Sequence, residues 1–132
     1  MSALKAFLET HKVCQQIGDV VGEINAFNNL AIVYGYLGDY ASALDAHLKS
    51  LPLIHKAGYP EGEMKAHINI ASLHIHQHNY SDALEYLQKS LDYRSENDTH
   101  PYALALLNFS KAYMGLGNYE QALAYGFESL AL

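Results

Sequence analysis

Apolar side chains recur at helical spacing in three stretches of the chain. Each stretch places large and small apolar residues at positions i, i+3, i+4 and i+7, which lie on one face of an α-helix. These positions are Phe27, Leu30, Ala31 and Tyr34, then His67, Ile70, Ala71 and His74, then Leu106, Phe109, Ser110 and Tyr113. Ala31, Ala71 and Ser110 share one step, where a small side chain lets a neighbouring helix come close. The pattern predicts three helices, each packed through this face.

The three stretches belong to a repeat with a period of about forty residues. The sequence reads NLAIVYGYLGDYASAL from Asn29, NIASLHIHQHNYSDAL from Asn69 and NFSKAYMGLGNYEQAL from Asn108, so the equivalent asparagines are 40 and then 39 residues apart. A turn with Gly, Asp or Asn follows each first helix, and these residue types favour helix ends and caps. A second helix follows each turn, with these packing positions: His47, Ser50, Leu51, Leu87, Ser90, Leu91, Gly126, Ser129 and Leu130. Such a period predicts helix pairs that stack on copies of themselves.

The repeat register also predicts where each element lies. Residues 2–17 are interpreted as a second helix without its first, followed by repeats at 24–58, 64–97 and 103–132, which makes seven helices in one domain over 1–132. Pro60 and Pro101 lie where first helices begin, a position that tolerates proline. Pro52 lies inside a second helix and is expected to bend it. Because both ends fall within repeats, we expect the chain to be a fragment of a longer protein.

These residues resemble the tetratricopeptide repeat (TPR). Residues 24–132 are similar to its full pattern and 2–17 to its second half, while His67, His74, His78 and Gly126 depart from it. The forty-residue period resembles the variety found in kinesin light chains, cell-polarity adaptors and many bacterial signalling proteins. The resemblance implies an all-α fold, a right-handed α-solenoid of antiparallel helix pairs. It also implies a concave groove that binds a protein or peptide segment.

Composition narrows the classes of function further. The net charge of −6, from 8 basic and 14 acidic residues, does not suit nucleic acid, which needs a basic face. A preference for basic partners and simple solubility charge both remain open. No apolar run is long enough to span a membrane, and the first residues do not form a secretory signal. Cys14 is the only cysteine, which fits a cytoplasmic protein, although a periplasmic location stays open.

The repeated asparagines are the main candidates for a binding site. Asn29, Asn69 and Asn108 lie off the packing face, and an Asn amide can pair with a peptide bond because it both donates and accepts hydrogen bonds. The resemblance implies that this face lines the concave groove. The candidate groove residues are Asn25, Asn28, Asn29, Ile32, Tyr36, Lys65, Asn69, Ser72, His76, Asn108 and Lys111. The alternative is that the asparagines serve packing alone. The remaining repeat tyrosines, at positions 34, 40, 80, 113 and 119, are expected in the core.

Four histidines between His67 and His78 raise a second question. His74 and His78 are four residues apart, which could present two imidazoles to one metal ion. However, His67, His74 and His78 fall on the packing face and no carboxylate lies one turn away on it. We therefore expect partly buried structural histidines, no metal and no cofactor. Burial penalises the charged imidazole, so such histidines predict a loss of stability below about pH 6.

These features favour one function over two others. The leading one is a peptide-binding module that forms a regulatory or scaffold part of a larger, bacterial signalling protein. Chaperone adaptors of the family that this chain resembles hold acidic tails with a clamp of particular residues. The equivalent positions here carry Asn28, Ile32, Leu104 and Asn108, which do not match that clamp. Acidic tails are therefore not expected partners. The second function is self-association through the end helices, as a homo-oligomer. An enzyme is not expected, because the sequence has no phosphate-binding loop or nucleophile motif.

Overall fold

A computed structural model describes residues 2–93 and 99–132 of the chain, without the side chain of Thr99. These residues form seven α-helices and no strand. The helices are α1 (Ala3–Ile17), α2 (Val20–Tyr36), α3 (Tyr40–Lys56), α4 (Pro60–His76), α5 (Tyr80–Leu91), α6 (Thr99–Gly115) and α7 (Tyr119–Leu130). The predicted all-α class and helix number are confirmed. Among these described helices, none combines the length and the apolar character that a membrane span needs.

The described helices fall into two compact units. The first reaches Tyr59 and contains α1, α2 and α3, and the second begins at Pro60 and contains α4 to α7. The repeat boundaries derived from the sequence stay predictions, and residues 94–97 of the second predicted repeat lie outside the described residues.

In the first unit, α2 packs against both α1 and α3. Its buried side chains are Ala26, Phe27, Leu30 and Ala31, which include three of the four positions of the predicted packing face. The fourth, Tyr34, is half-buried. Burying a leucine or phenylalanine side chain stabilises a fold by about 1.5–3 kcal/mol, so the burial of Phe27 and Leu30 stabilises the packing of α2.

In the second unit, α4 pairs with α5, α6 pairs with α7, and α6 also packs on α4 and α5. The core consists of Met64, Ile68, Ala71, Ala83, Leu87, Ala105, Phe109 and Ala112. At the small-residue step of α6, the Ser110 hydroxyl donates a 2.6 Å hydrogen bond to the Ala122 carbonyl oxygen on α7. That short bond requires the close approach of the two helices that the sequence predicts at this position.

Gly126 replaces a bulky residue at a packing position of α7. The neighbouring Tyr125 ring stacks on Phe109, with ring centroids 4.8 Å apart, and on Tyr113, at 5.6 Å. Aromatic rings at these separations attract each other beyond simple burial of area. The aromatic stack therefore packs α7 against α6 beside Gly126.

The turns between paired helices place one residue in the left-handed region. Gly38 and Gly117 have φ values of 76° and 79°, and His78, at the equivalent position, has a φ of 62°. Asp39 then caps α3 by accepting the Ser42 N–H at 3.1 Å, and Asn118 caps α7 by accepting the Gln121 N–H at 3.3 Å. Asn79 makes no side-chain capping bond to α5, so the predicted capping role fails in this one turn.

The prolines lie close to where the sequence places them. Pro60 is the first residue of α4 and Pro101 is the third of α6, where a missing backbone N–H breaks no helical hydrogen bond. Pro52 lies inside α3, which continues to Lys56. The bend expected at Pro52 stays a prediction.

Candidate peptide-binding face

The first unit presents a polar and aromatic face on α2. Ile32 and Tyr36 lie one helical turn apart, and Tyr36 is the most exposed large hydrophobic side chain described, at 89%. Asn25 is exposed, while Asn28 and Asn29 are half-buried beside this pair. The Asp19 carboxylate starts the helix by accepting the Gly22 N–H at 2.9 Å. The packed side chains of α2 and this cap set the position of the exposed face.

The second unit carries the equivalent residues on α4 and α6. Lys65, Asn69, His76 and Lys111 are exposed and Ser72 is half-buried. Lys65 Nζ lies 3.0 Å from a carboxylate oxygen of Glu61, one turn earlier on α4. Exposed ion pairs of this kind contribute little to stability, so Lys65 is able to change partner at low cost.

Asn108 differs from the other two repeated asparagines. Its exposed fraction is only 8%, whereas Asn29 is half-buried and Asn69 is exposed. Asn108 lies on α6, which packs against α4, α5 and α7. The expectation that all three asparagines stand open to a ligand needs correction at Asn108. Ile68, the residue before Asn69 on α4, is likewise part of the core.

Two histidines of α4 belong to an aromatic cluster with α5. The His67 ring centroid lies 6.0 Å from Tyr86 and 5.6 Å from Tyr93, and the His74 ring stacks on Tyr86 at 5.5 Å. His67 Nδ1–H donates to the Glu63 carbonyl oxygen at 2.9 Å. Burial lowers the pKa of His67, which keeps the ring neutral near pH 7. These contacts explain how imidazoles occupy positions that usually carry large apolar residues.

His47 is the most strongly perturbed titratable group described. It is buried on α3, and burial lowers its pKa to about 4. Its Nδ1 makes no hydrogen bond to any described residue. Unlike His47, His78 is exposed in the turn before α5, where its Nδ1 lies 2.7 Å from the Tyr80 hydroxyl oxygen. The placement of His78 on the packing face was therefore wrong.

The described residues contain no group of three or more His, Cys, Asp or Glu side chains placed to hold a metal ion. Glu63 lies one turn before His67 on α4 and is buried, so the expectation that no carboxylate lies one turn away on the packing face was wrong. A hydrogen bond to Glu63 raises the pKa of Tyr93, so this buried carboxylate has a partner just after the end of α5. The four-residue spacing from His67 was the signal that could have found it.

A second apolar face on α7 was also missed. Tyr119, Leu123, Phe127 and Leu130 recur at intervals of four, four and three residues, and their exposed fractions are 62%, 58%, 68% and 83%. Tyr119 and Leu130 were expected in the core, and both expectations were wrong. A helical wheel of 119–130 would have shown apolar residues over two adjacent faces, of which α6 covers only one.

Comparison with known protein families identifies the family to which this helical architecture corresponds. A family model described as "Tetratricopeptide repeat" matches residues 1–54 and 63–132. A search of curated proteins found no significant match. Tetratricopeptide repeats generally mediate protein–protein interaction or scaffolding and are typically non-enzymatic. The family match covers most of the chain and agrees with its paired helices and repeated small-residue steps, and the chain therefore belongs to the tetratricopeptide repeat family.

Proposed function

We propose that the chain binds an extended segment of another protein through the first-helix faces of its repeats. The observation that carries the proposal is the exposed pair Ile32 and Tyr36 beside the α2 asparagines. An exposed tyrosine with an aliphatic neighbour provides a rigid apolar contact with a polar tip, and tyrosines are enriched at protein interfaces for this reason. Protein binding is the general role of the family.

The chemistry of the face indicates which features of a ligand it would recognise. Asn29 and Asn69 each offer a donor and an acceptor, which matches the N–H and C=O groups of a peptide backbone. Lys65, Lys111 and His76 supply positive or titratable groups in a chain whose net charge is −6. We therefore propose that each unit by itself pairs with the backbone of a ligand segment through its asparagine, and that Tyr36 of the first unit adds an apolar contact, with no requirement for a carboxylate tail.

The experiment selects displayed random peptides on the full chain and measures their binding to variants by calorimetry. Tyr36→Ala removes the aromatic contact and is matched by Tyr59→Ala, since Tyr59 is also exposed but lies outside the candidate face. Asn29→Ala and Asn69→Ala are tested together, and Asn108→Ala separately because that side chain is buried. We expect the first two changes to weaken binding about tenfold or more without loss of helicity, as truncation of an interface anchor does.

Two results would contradict this proposal. Peptides that bind Tyr36→Ala and Tyr59→Ala equally well would place the site elsewhere. Unfolding of the Asn29→Ala, Asn69→Ala double variant would show that these asparagines are structural and remove the backbone-pairing role.

A second candidate function is self-association through end helices. It is favoured by apolar side chains that stand exposed on α7, and on α1 and the start of α2, where Val13, Ile17 and Val21 are exposed. The largest exposed apolar patch of a monomer, typically about 300–600 Å², is often a functional surface. We also propose, on the resemblance of the repeat period, that the chain acts in the cytoplasm as a regulatory or scaffold part of a larger bacterial signalling protein.

A further inference from the structure

The second apolar face of α7 corresponds to a face of α5, and in the second unit that face of α5 packs against another helix. On α5, the Tyr80 ring lies so close to Gly115 of α6 that a Cβ atom at position 115 would overlap it. Leu84 and Leu91 of α5 pack against the core that α6 completes. This face of α5 is therefore an established helix-packing surface, covered by the next helix along the chain.

Advancing these positions by one repeat of 39 residues leads to α7. Tyr80, Leu84 and Leu91 become Tyr119, Leu123 and Leu130, which keep the residue type at all three positions. The three residues of α5 are half-buried, and the three of α7 are exposed. The α7 face thus continues an interface that the same unit already uses.

The α5 face and the α7 face differ in residue type at one position. Position 88 of α5 is an exposed glutamine, and the equivalent position of α7 is Phe127. A helix placed like α6 leaves that position in solvent, as Gln88 shows. A phenylalanine there therefore indicates a partner that covers all four positions, which is a wider contact than α6 makes.

The four α7 positions are nearly symmetric about their midpoint. In an antiparallel pair of α7 helices, Tyr119 of one copy lies opposite Leu130 of the other, and Leu123 lies opposite Phe127. The acidic residues Glu120 and Glu128 do not face each other in this register, because Glu120 falls near Ser129 and Glu128 near Gln121. The Tyr102 hydroxyl also donates to Glu128 at 3.3 Å, which directs that carboxylate toward α6.

The exposed area suits a dimer of ordinary size. The four side chains expose roughly 450 Å² together, taking large side chains at about 150–250 Å² each. A standard interface takes about 800 Å² from each partner, and a little over half of it is non-polar. The α7 face supplies about that non-polar share.

We propose that a second copy of this chain covers α7, in a two-fold dimer whose α7 helices pack antiparallel through Tyr119, Leu123, Phe127 and Leu130. The inference rests on the self-association candidate above and names its surface and partner. It is independent of the peptide-binding face on α2.

The first test measures the mass of the full 132-residue chain by light scattering and sedimentation over a concentration series. We expect a monomer–dimer equilibrium. Phe127→Gln, which restores the residue type of α5, should weaken the dimer about tenfold or more, as loss of a central aromatic contact does. Tyr59→Gln is the matched control, because Tyr59 is also an exposed aromatic residue but lies outside α1 and α7. Ile17→Lys tests whether the exposed apolar side chains of α1 form the contact instead. All three variants should keep wild-type helicity.

The second test determines the register by disulfide formation in a Cys14→Ser background. A mixture of the Tyr119→Cys and Leu130→Cys proteins should form linked dimers under mild oxidation, and each protein alone should not. Linkage of each protein alone without the mixed product would indicate a parallel pair and overturn the inference.

The remaining outcomes separate this inference from the function on which it rests. A dimer lost in Ile17→Lys and kept in Phe127→Gln would preserve self-association but place it at α1, which overturns the α7 interface. A monomer at every concentration would overturn both. A monomer that binds an added peptide of residues 99–117 through α7 would assign the face to a separate helix and also overturn the two-fold dimer.

Discussion

Single histidines show how a titratable side chain fills a packing position in this protein. His47 occupies a site where the equivalent residues of α1 and α5 are Phe7 and Leu87. The imidazole is therefore packed as an apolar ring would be, and burial lowers its pKa to about 4. Because the neutral form is favoured in the fold, protons bind more readily to the unfolded chain once the pH falls below the ordinary histidine pKa.

We predict that the free energy of unfolding falls as the pH decreases from about 6.5 to about 4. The pKa difference of His47 corresponds to a loss of about 2 to 3 kcal/mol across this range. Urea denaturation followed by circular dichroism at several pH values measures the loss.

The control for this prediction is His47→Leu, which supplies the residue found at the equivalent position of α5. The difference between the wild type and this variant removes the contribution of the carboxylates, which also lose stability in acid. If the two proteins show the same pH dependence, His47 does not cause it and the pKa assignment is wrong.

At the scale of elements, the turns between paired helices are nearly the same three times over. Gly38, His78 and Gly117 all end a first helix in the left-handed region, and only His78 has a Cβ atom there. A side chain in that conformation costs roughly 1–2 kcal/mol relative to glycine. In return, His78 gains an exposed contact with Tyr80, which has limited value in solvent.

We predict opposite effects of two exchanges at equivalent turns. His78→Gly should raise the free energy of unfolding by up to about 1 kcal/mol, and Gly117→His should lower it by a similar amount. Thermal denaturation of the three proteins at one fixed pH measures both.

The paired design tests the backbone explanation directly. Destabilisation by both exchanges would show that the His78–Tyr80 contact outweighs the backbone cost. In that case, the histidine is a stabilising feature of this turn and not a strained one.

The helices themselves differ in how many faces they bury. In the second unit, α5 has two covered faces, because it packs on α4 through Ala83 and Leu87 and receives α6 over Tyr80, while α7 has only one covered face. The sequence pattern of the two helices is nearly the same, so the difference lies in their surroundings. An element with the same apolar residues can thus be a core helix or an interaction surface.

At the scale of the whole molecule, the net charge opposes association. Each copy carries a charge of −6, so two copies repel each other at long range, and salt screens that repulsion within about 10 Å at 0.1 M. We predict that the dimer dissociation constant decreases several-fold when sodium chloride is raised from low to physiological concentration. Sedimentation equilibrium of the wild-type chain measures this change.

The direction of the salt effect is informative in itself. An apolar interface such as the proposed α7 pair gains from screening, whereas an interface held by opposite charges weakens in salt. A dissociation constant that increases with salt would therefore contradict the composition of the proposed contact.

Much of this fold was predictable because the same pattern of apolar and small residues recurs in each repeat. The spacing of Phe27, Leu30 and Ala31 and of their counterparts correctly predicted the helices, their packing faces and the small residues at close approaches. The peptide-binding assignment remains a proposal. For that assignment, a helical wheel placed Asn69 and Asn108 on the same face, yet only Asn69 is exposed.

Local sequence determined the helices, their turns and the left-handed residues that end them, because each of these depends on side chains a few positions apart. Tertiary structure alone decided which side chains outside those predicted packing faces are covered. Asn108 is buried since its helix has neighbours on several sides, and Phe127 is exposed since no described helix lies over that face of α7. Burial depends on neighbours that are distant in sequence, so the pattern within one helix cannot specify it.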